Sequence, residues 1–156
     1  MRAVQIHRYD GDRETLRGLF READDSEQAI DGYLHEGEIL TATDGDEVIG
    51  HLQFVAGPED GTAELKSMAV IATRRRAGVG RALVEEAVRR CRQRGLRRLL
   101  VSTAAASVGD LRFYQRIGFR MLRIERDAFV PETGYPVEIL LEGIALRDRV
   151  WLDRLL

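Results

Sequence analysis

Residues 63–81, AELKSMAVIATRRRAGVGR, decide the fold. Ala63 to Ile71 reads as a strand that runs out at Val70. A short loop follows, and Arg75-Arg76-Ala77-Gly78-Val79-Gly80 opens a helix. From Val79 the apolar residues fall at Val79, Leu83, Ala87 and Cys91, with Val84 and Val88 beside them, a wide stripe at 3.6-residue spacing. Gly78 and Gly80 remove side chains where a ligand would approach the backbone. The first turn of a helix exposes unpaired N–H groups with a partial positive charge. Together these form a phosphate seat, with Arg74, Arg75, Arg76 and Arg81 adding charge around it. A P-loop would need Gly-Lys-Ser/Thr, which is missing, and a dinucleotide fingerprint would need a third glycine where Leu83 stands.

Upstream of this stretch, Ala3 to Ile6 reads as a first strand and Asp12 to about Glu22 as a helix. Asp24-Asp25-Ser26 caps a second helix with Ala29, Ile30, Tyr33 and Leu34 on one face, and Gly37 suits its end. Ile39–Thr43 and Val48–Val55 are strands joined by the turn signal Asp44-Gly45-Asp46. Downstream, Arg98–Ser102 is a short buried strand, Val108–Ile117 a helix stopped by Gly118, and Phe119–Arg126 a strand. The apolar runs at 137–141 and 149–155 would complete the sheet or lie at a homodimer seam. The order β-α-α-β-β-β-α-β-α-β-β implies a mixed sheet with helices on both faces.

The 156 residues favour one domain, 1–156. A single cysteine, Cys91, cannot form an internal disulfide, and no apolar run approaches the length of a membrane span. The N-terminus lacks the apolar core of a secretory signal. These readings give a cytoplasmic expectation, with no membrane partner. Net charge is −2, but residues 1–65 sum to −11, residues 66–126 to +12 and residues 127–156 to −3. The basic residues are 23 Arg and one Lys, Lys66. The Arg cluster over 89–98 reads as a solvated helix end, and missing aromatic interleaving argues against a nucleic-acid partner. His7, His35 and His51 lack ligand spacing, so no metal is expected.

The strand–loop–helix with Arg75-x-x-Gly78-x-Gly80 resembles the pyrophosphate-binding signature of the GNAT superfamily of N-acetyltransferases. Phe113-Tyr114-Gln115-Arg116-Ile117-Gly118-Phe119 is similar to that family's later aromatic–Tyr-x-x-x-Gly-Phe element. The two motifs, in order, cover roughly 63–126, the expected acetyl-CoA-binding core. The tail GYPVEILLEGIALRDRV, residues 134–150, resembles one bacterial subgroup of predicted acetyltransferases. The resemblance implies an α/β GNAT fold: a mostly antiparallel sheet of about seven strands with about four helices on its two faces.

The resemblance also implies roles. Acetyl-CoA and an amine would bind together, and the amine would attack the thioester directly. The N–H groups of Arg76, Ala77, Gly78, Val79, Gly80 and Arg81 would hold the pyrophosphate. The pantetheine would pair like an extra strand with Met68, Ala69 and Val70. A backbone N–H near Met68 or Ala69 would stabilise the oxyanion. Tyr114 stands where many members protonate the leaving thiolate, and a phenol suits a thiol of similar basicity. Glu64, six residues before Val70, matches the base glutamate of some members. By strand parity Glu64, Lys66, Met68 and Val70 share one face, and Lys66 would then work against Glu64 as a base. Members often place Asn before the second motif's helix; here the segment is Thr103-Ala104-Ala105-Ala106-Ser107, with no Asn, and Ser107 would have to substitute.

Plainer readings stand beside these. Tyr114 is also a core aromatic, Glu64 a strand residue paired with Lys66, and Cys91 a small core residue. In the family the first two helices border the acceptor groove. The acids Glu22, Asp24, Asp25, Glu27, Asp31, Glu36 and Glu38 fall there and would concentrate a cationic amine. The expected acceptor is a small basic amine or a basic peptide end. A different class of function, an acyl-CoA-binding sensor without catalysis, is distinguished by release of CoA.

Overall fold

A computed structural model of the chain describes residues 3–156. The strands are β1 Gln5–Arg8, β2 Glu38–Asp44, β3 Glu47–Ala56, β4 Thr62–Val70, β5 Arg98–Ala104, β6 Arg120–Glu125, β7 Leu140–Leu141, β8 Ile144–Ala145 and β9 Arg149–Leu155. The helices are α1 Arg17–Ala23, α2 Glu27–Tyr33, α3 Val79–Gln93 and α4 Val108–Arg116. Seven strands form one sheet in the order β1-β2-β3-β4-β5-β9-β6. Every pairing in it is antiparallel except β4 with β5.

Two apolar clusters lie on opposite faces of this sheet. One gathers Leu83, Val84, Ala87 and Cys91 of α3 with Leu52, Leu65, Leu99, Tyr114, Ile117 and Leu152. The other gathers Leu16, Phe20, Ile30, Tyr33, Leu34 and Ile39. The helix α3 forms where the apolar stripe is widest, and Cys91 is buried on that stripe. Ser26 caps α2, its hydroxyl accepting from Ala29 N–H at 3.1 Å. The α2 C-terminus is closed by Arg13, whose guanidinium donates to the carbonyls of Leu34 (3.1 Å), Glu36 (2.7 Å) and Gly37 (2.7 Å).

The expected elements form, with three differences. The first strand lies two residues later than the alternation suggests. The helix expected from Asp12 begins as a 3₁₀ turn, Arg13–Leu16, capped by Asp12, whose carboxylate accepts from Glu14 N–H. The two tail runs separate: β9 enters the sheet between β5 and β6, whereas 137–141 stays outside it. Leu140–Leu141 pairs only with Ile144–Ala145 in a hairpin. Its two turn residues, Glu142 and Gly143, both take positive φ, 49° and 82°, the geometry of a tight hairpin turn.

Candidate active site

Strand β4 positions the site. It pairs with β3 over 63–70 but with β5 only over Thr62–Leu65. From Lys66 onward the two parallel strands part, and the β5-facing edge of 67–70 opens as a gap in the sheet. The parting coincides with a bulge: Gln53 pairs with Ser67 and Phe54 with Leu65, so Lys66 is the extra residue. An extra residue reverses the alternation of side chains. The expected shared face of Glu64, Lys66, Met68 and Val70 is therefore corrected. Glu64 and Lys66 lie on the α1/α2 side, with Lys66 Nζ 5.2 Å from the Tyr33 ring centroid. Met68 and Val70 pack against the α3 cluster on the other side.

The gap leads to the N-terminus of α3. Gly78 is its N-cap residue, left-handed at φ 84°, and supplies no capping side chain. The first N–H bonded within the helix is that of Ala82, to Gly78 O at 3.0 Å, which leaves the N–H groups of Val79, Gly80 and Arg81 without a helical acceptor. The two glycines differ in why they are glycine. A Cβ at Gly78 would meet open space, and its positive φ is the constraint; a Cβ at Gly80 would come 3.2 Å from Phe113 Cζ and 3.9 Å from Met68 Cε. Gly80 thus serves the packing of α3 on α4. The four arginines are also unequal. Arg74 is held by Asp44 at 2.7 Å, so it does not add free charge to the seat. Arg75 Nε donates to Val70 O at 3.0 Å, and its other arm reaches Glu22 at 3.2 Å. Arg76 and Arg81 are exposed.

Tyr114 lies on α4 and is buried. Phe113 and Phe119 meet its ring edge-on, at 5.1 and 5.5 Å between centroids. Burial, and secondarily the charge of Asp110, hold its pKa far above the ordinary phenol range. Ser107 precedes α4; its carbonyl accepts from Leu111 N–H at 3.1 Å, and its hydroxyl makes no capping bond.

On the α1/α2 side of β4 a cavity of about 500 Å³ is lined by Glu64, Lys66 and Ser107 together with residues from distant parts of the chain. Tyr114 does not line it. Its carboxylates are Asp24, Asp25, Glu36, Glu64 and Asp110, against the cations Lys66 and Arg149. Asp24 is fixed by three donors: Tyr33 Oη (2.9 Å), Tyr135 Oη (2.9 Å) and Ser26 N–H (3.0 Å). Burial, then the charge of Asp24, raises the Asp25 pKa. Asp110 has an exposed side chain at the cleft edge, yet the surrounding protein raises its pKa too; the Thr103 hydroxyl and the Arg75 charge pull the other way. Glu64 and Lys66 form an ion pair at 3.8 Å.

Of the seven acids expected at the groove, Asp24, Asp25 and Glu36 reach the cavity. The other four serve ion pairs elsewhere: Glu22 with Arg75, Glu27 and Asp31 with Arg17, and Glu38 with Arg90 and Arg94. The Arg cluster is likewise engaged rather than displayed as one open patch. Arg89 and Arg90 both hold Glu86, lowering its pKa to about 2, and Arg98 reaches Asp153. The residues missed by sequence reasoning are Asp110, Tyr33 in its polar role, Tyr135 and Arg149. Asp110, three residues after Ser107 in the first turn of α4, carried a readable signal; Tyr135, in an irregular tail, carried none.

A strand with one free edge leading into an uncapped helix N-terminus, beside a polar cavity, can seat an anionic ligand such as the phosphates of a coenzyme A thioester. The model of the acetyltransferase (GNAT) family matches residues 7–119, and the chain belongs to that family. It is 31% identical over 156 residues to the Bacillus subtilis protein named uncharacterized N-acetyltransferase YvbK, covering 98% of each chain. Two solved structures share the fold throughout. A Bacillus subtilis acetyltransferase in complex with CoA has 30% identity, TM-score 0.89 and 99% coverage of both chains. A GNAT family acetyltransferase from Elizabethkingia anophelis with acetyl-CoA bound has 29% identity, TM-score 0.89 and 98% coverage of both. The chain is an acetyl-CoA-dependent N-acetyltransferase. The free β4 edge, the left-handed Gly78 and the uncapped α3 N-terminus fit that cosubstrate.

Proposed function

We propose that the protein transfers an acetyl group to the primary amine of a small basic molecule or a basic peptide end, by direct attack in a ternary complex. The observation that carries this is the cavity beside β4, with five carboxylates against two cations. A cationic acceptor is concentrated by such a lining. Acetyl-CoA, when bound, supplies the activated carbonyl. The backbone of Met68, Ala69 and Val70 holds its pantetheine, and Ser107 offers a polar contact there. The N–H groups from Arg76 to Arg81 hold its pyrophosphate. An N–H at Met68 or Ala69 would stabilise the oxyanion. Glu64 takes a proton from the ammonium. Tyr114, kept protonated by burial, gives a proton to the departing sulfur. A lone cysteine and no disulfide suit a cytoplasmic setting.

The test is CoA release, followed with a thiol reagent, over a panel of amines. Polyamines and aminoglycosides should turn over faster than neutral or acidic amines. Faster turnover of a neutral or acidic amine overturns the reading of the acceptor.

A further inference from the structure

Lys66 is the one lysine among 24 basic residues. We propose that it is itself an acetyl acceptor: the enzyme acetylates the Lys66 ε-amine in its own site. The proposal rests on the reading of the cavity as the acceptor site.

Chemistry singles this residue out. Guanidinium groups stay protonated and do not serve as nucleophiles here, so 23 of the 24 cations are excluded. The remaining one lines the acceptor cavity. It is the bulge residue of β4, at the point where β4 parts from β5. Its side chain lies on the same side of the strand as Glu64, with Nζ 3.8 Å from Glu64 Oε1. The side chain is about one-third exposed, 35%. Met68, whose backbone borders the gap, lies two residues on, about 6.6 Å along a strand. That is comparable to the reach of a lysine's flexible four-carbon stem. The candidate base, a primary amine and the strand edge that holds the thioester therefore meet within one short segment of β4.

The step balances without a further reactant. The ammonium gives one proton to Glu64. The nitrogen lone pair forms the N–C bond to the thioester carbonyl carbon. The C–S bond breaks with its electron pair on sulfur, and sulfur takes the second proton. The products are Nε-acetyl-Lys66, CoA thiol and one proton released from Glu64 to solvent. Acetylation removes a cation and makes the cavity more acidic.

The experiment incubates the full chain with acetyl-CoA and no amine, then reads intact mass and maps the modified peptide. One acetyl mass should appear on Lys66, with a rate constant independent of protein concentration. A saturating polyamine should slow it, and Glu64→Gln should slow it by about a hundredfold or more. Lys66→Arg should gain no acetyl mass at that peptide. Amine turnover by a chain whose Lys66 stays unmodified overturns this proposal and leaves the acceptor reading standing. Acetylation found only at the α-amine of Met1, or equally fast on Lys66 of the urea-unfolded chain, also overturns it. A preparation that binds acetyl-CoA but acetylates neither Lys66 nor any amine overturns both.

Discussion

Replacing Tyr114 by phenylalanine tests its proposed role as general acid apart from its packing. The ring is wedged edge-on between Phe113 and Phe119 at 5.1 and 5.5 Å, and phenylalanine keeps that packing. Only the hydroxyl is lost, so the melting temperature should hold. Burial keeps the phenol protonated, and the same desolvation makes a thiolate formed beside it more basic. Loss of a positioned general acid costs about 10²–10⁴-fold in rate, or about 3–5 kcal/mol of transition-state stabilisation. Steady-state kinetics with the best amine should show kcat falling by that factor, while acetyl-CoA affinity, measured by calorimetry, stays the same. An unchanged kcat in a variant of unchanged melting temperature refutes the acid role and leaves Tyr114 as a core aromatic. A fall in both kcat and melting temperature refutes the claim that phenylalanine preserves the packing.

Other predictions follow from single contacts. Gly80→Ala sets a Cβ 3.2 Å from Phe113 Cζ; overpacking costs about 1–3 kcal/mol against up to about 1 kcal/mol gained in helix propensity, so the net expected is a slightly lower denaturant midpoint even without cofactor. Asp24→Asn keeps partners for Tyr33 and Tyr135 but removes the charge; at about 1.5–3 kcal/mol for a charged hydrogen bond, KM for a polyamine should rise roughly tenfold to a hundredfold, with little change for a neutral amine. His51 is buried, stacked on Phe20 at 4.3 Å and bonded to Ser67 Oγ at 2.8 Å, and burial lowers its pKa to about 3. The unfolded chain therefore binds this proton more readily. Stability should fall as pH drops from the unfolded histidine range near 6.5 toward the folded value, with a slope of at most about 1.4 kcal/mol per pH unit. Denaturant titrations at pH 7 and 5.5 check it, and His51→Gln should flatten the slope.

The elements near 63–126 were legible because their signals are local: a glycine pair before an apolar stripe, and an aromatic pair before Gly118. Two things were not. The bulge at Lys66 depends on how β3 meets β4, and nothing within β4 marks which residue is extra. Strand parity consequently placed Met68 and Val70 with Glu64, when they face the other core. The cavity was legible only in part. Asp24, Asp25 and Glu36 lie in a segment whose acidity is plain, but so do Glu27, Asp31 and Glu38. Their separation follows from where Arg17, Arg90 and Arg94 reach in the folded chain. Tyr135 meets Asp24 across 111 residues of sequence, a closure that no local pattern announces. The charge split between an acidic front and a basic middle thus acquired a mixed meaning: some of it lines the site, and much of it neutralises itself across the fold.

Whether the cavity acetylates amines through Glu64 is decided by CoA release from the purified chain with acetyl-CoA and a polyamine, compared with Glu64→Gln under the same conditions. Beyond the one CoA per chain released by acetylation of Lys66, turnover should require the amine and fall by about a hundredfold or more in the variant. Multiple turnover that ignores the amine, or an equally active Glu64→Gln chain, would contradict this.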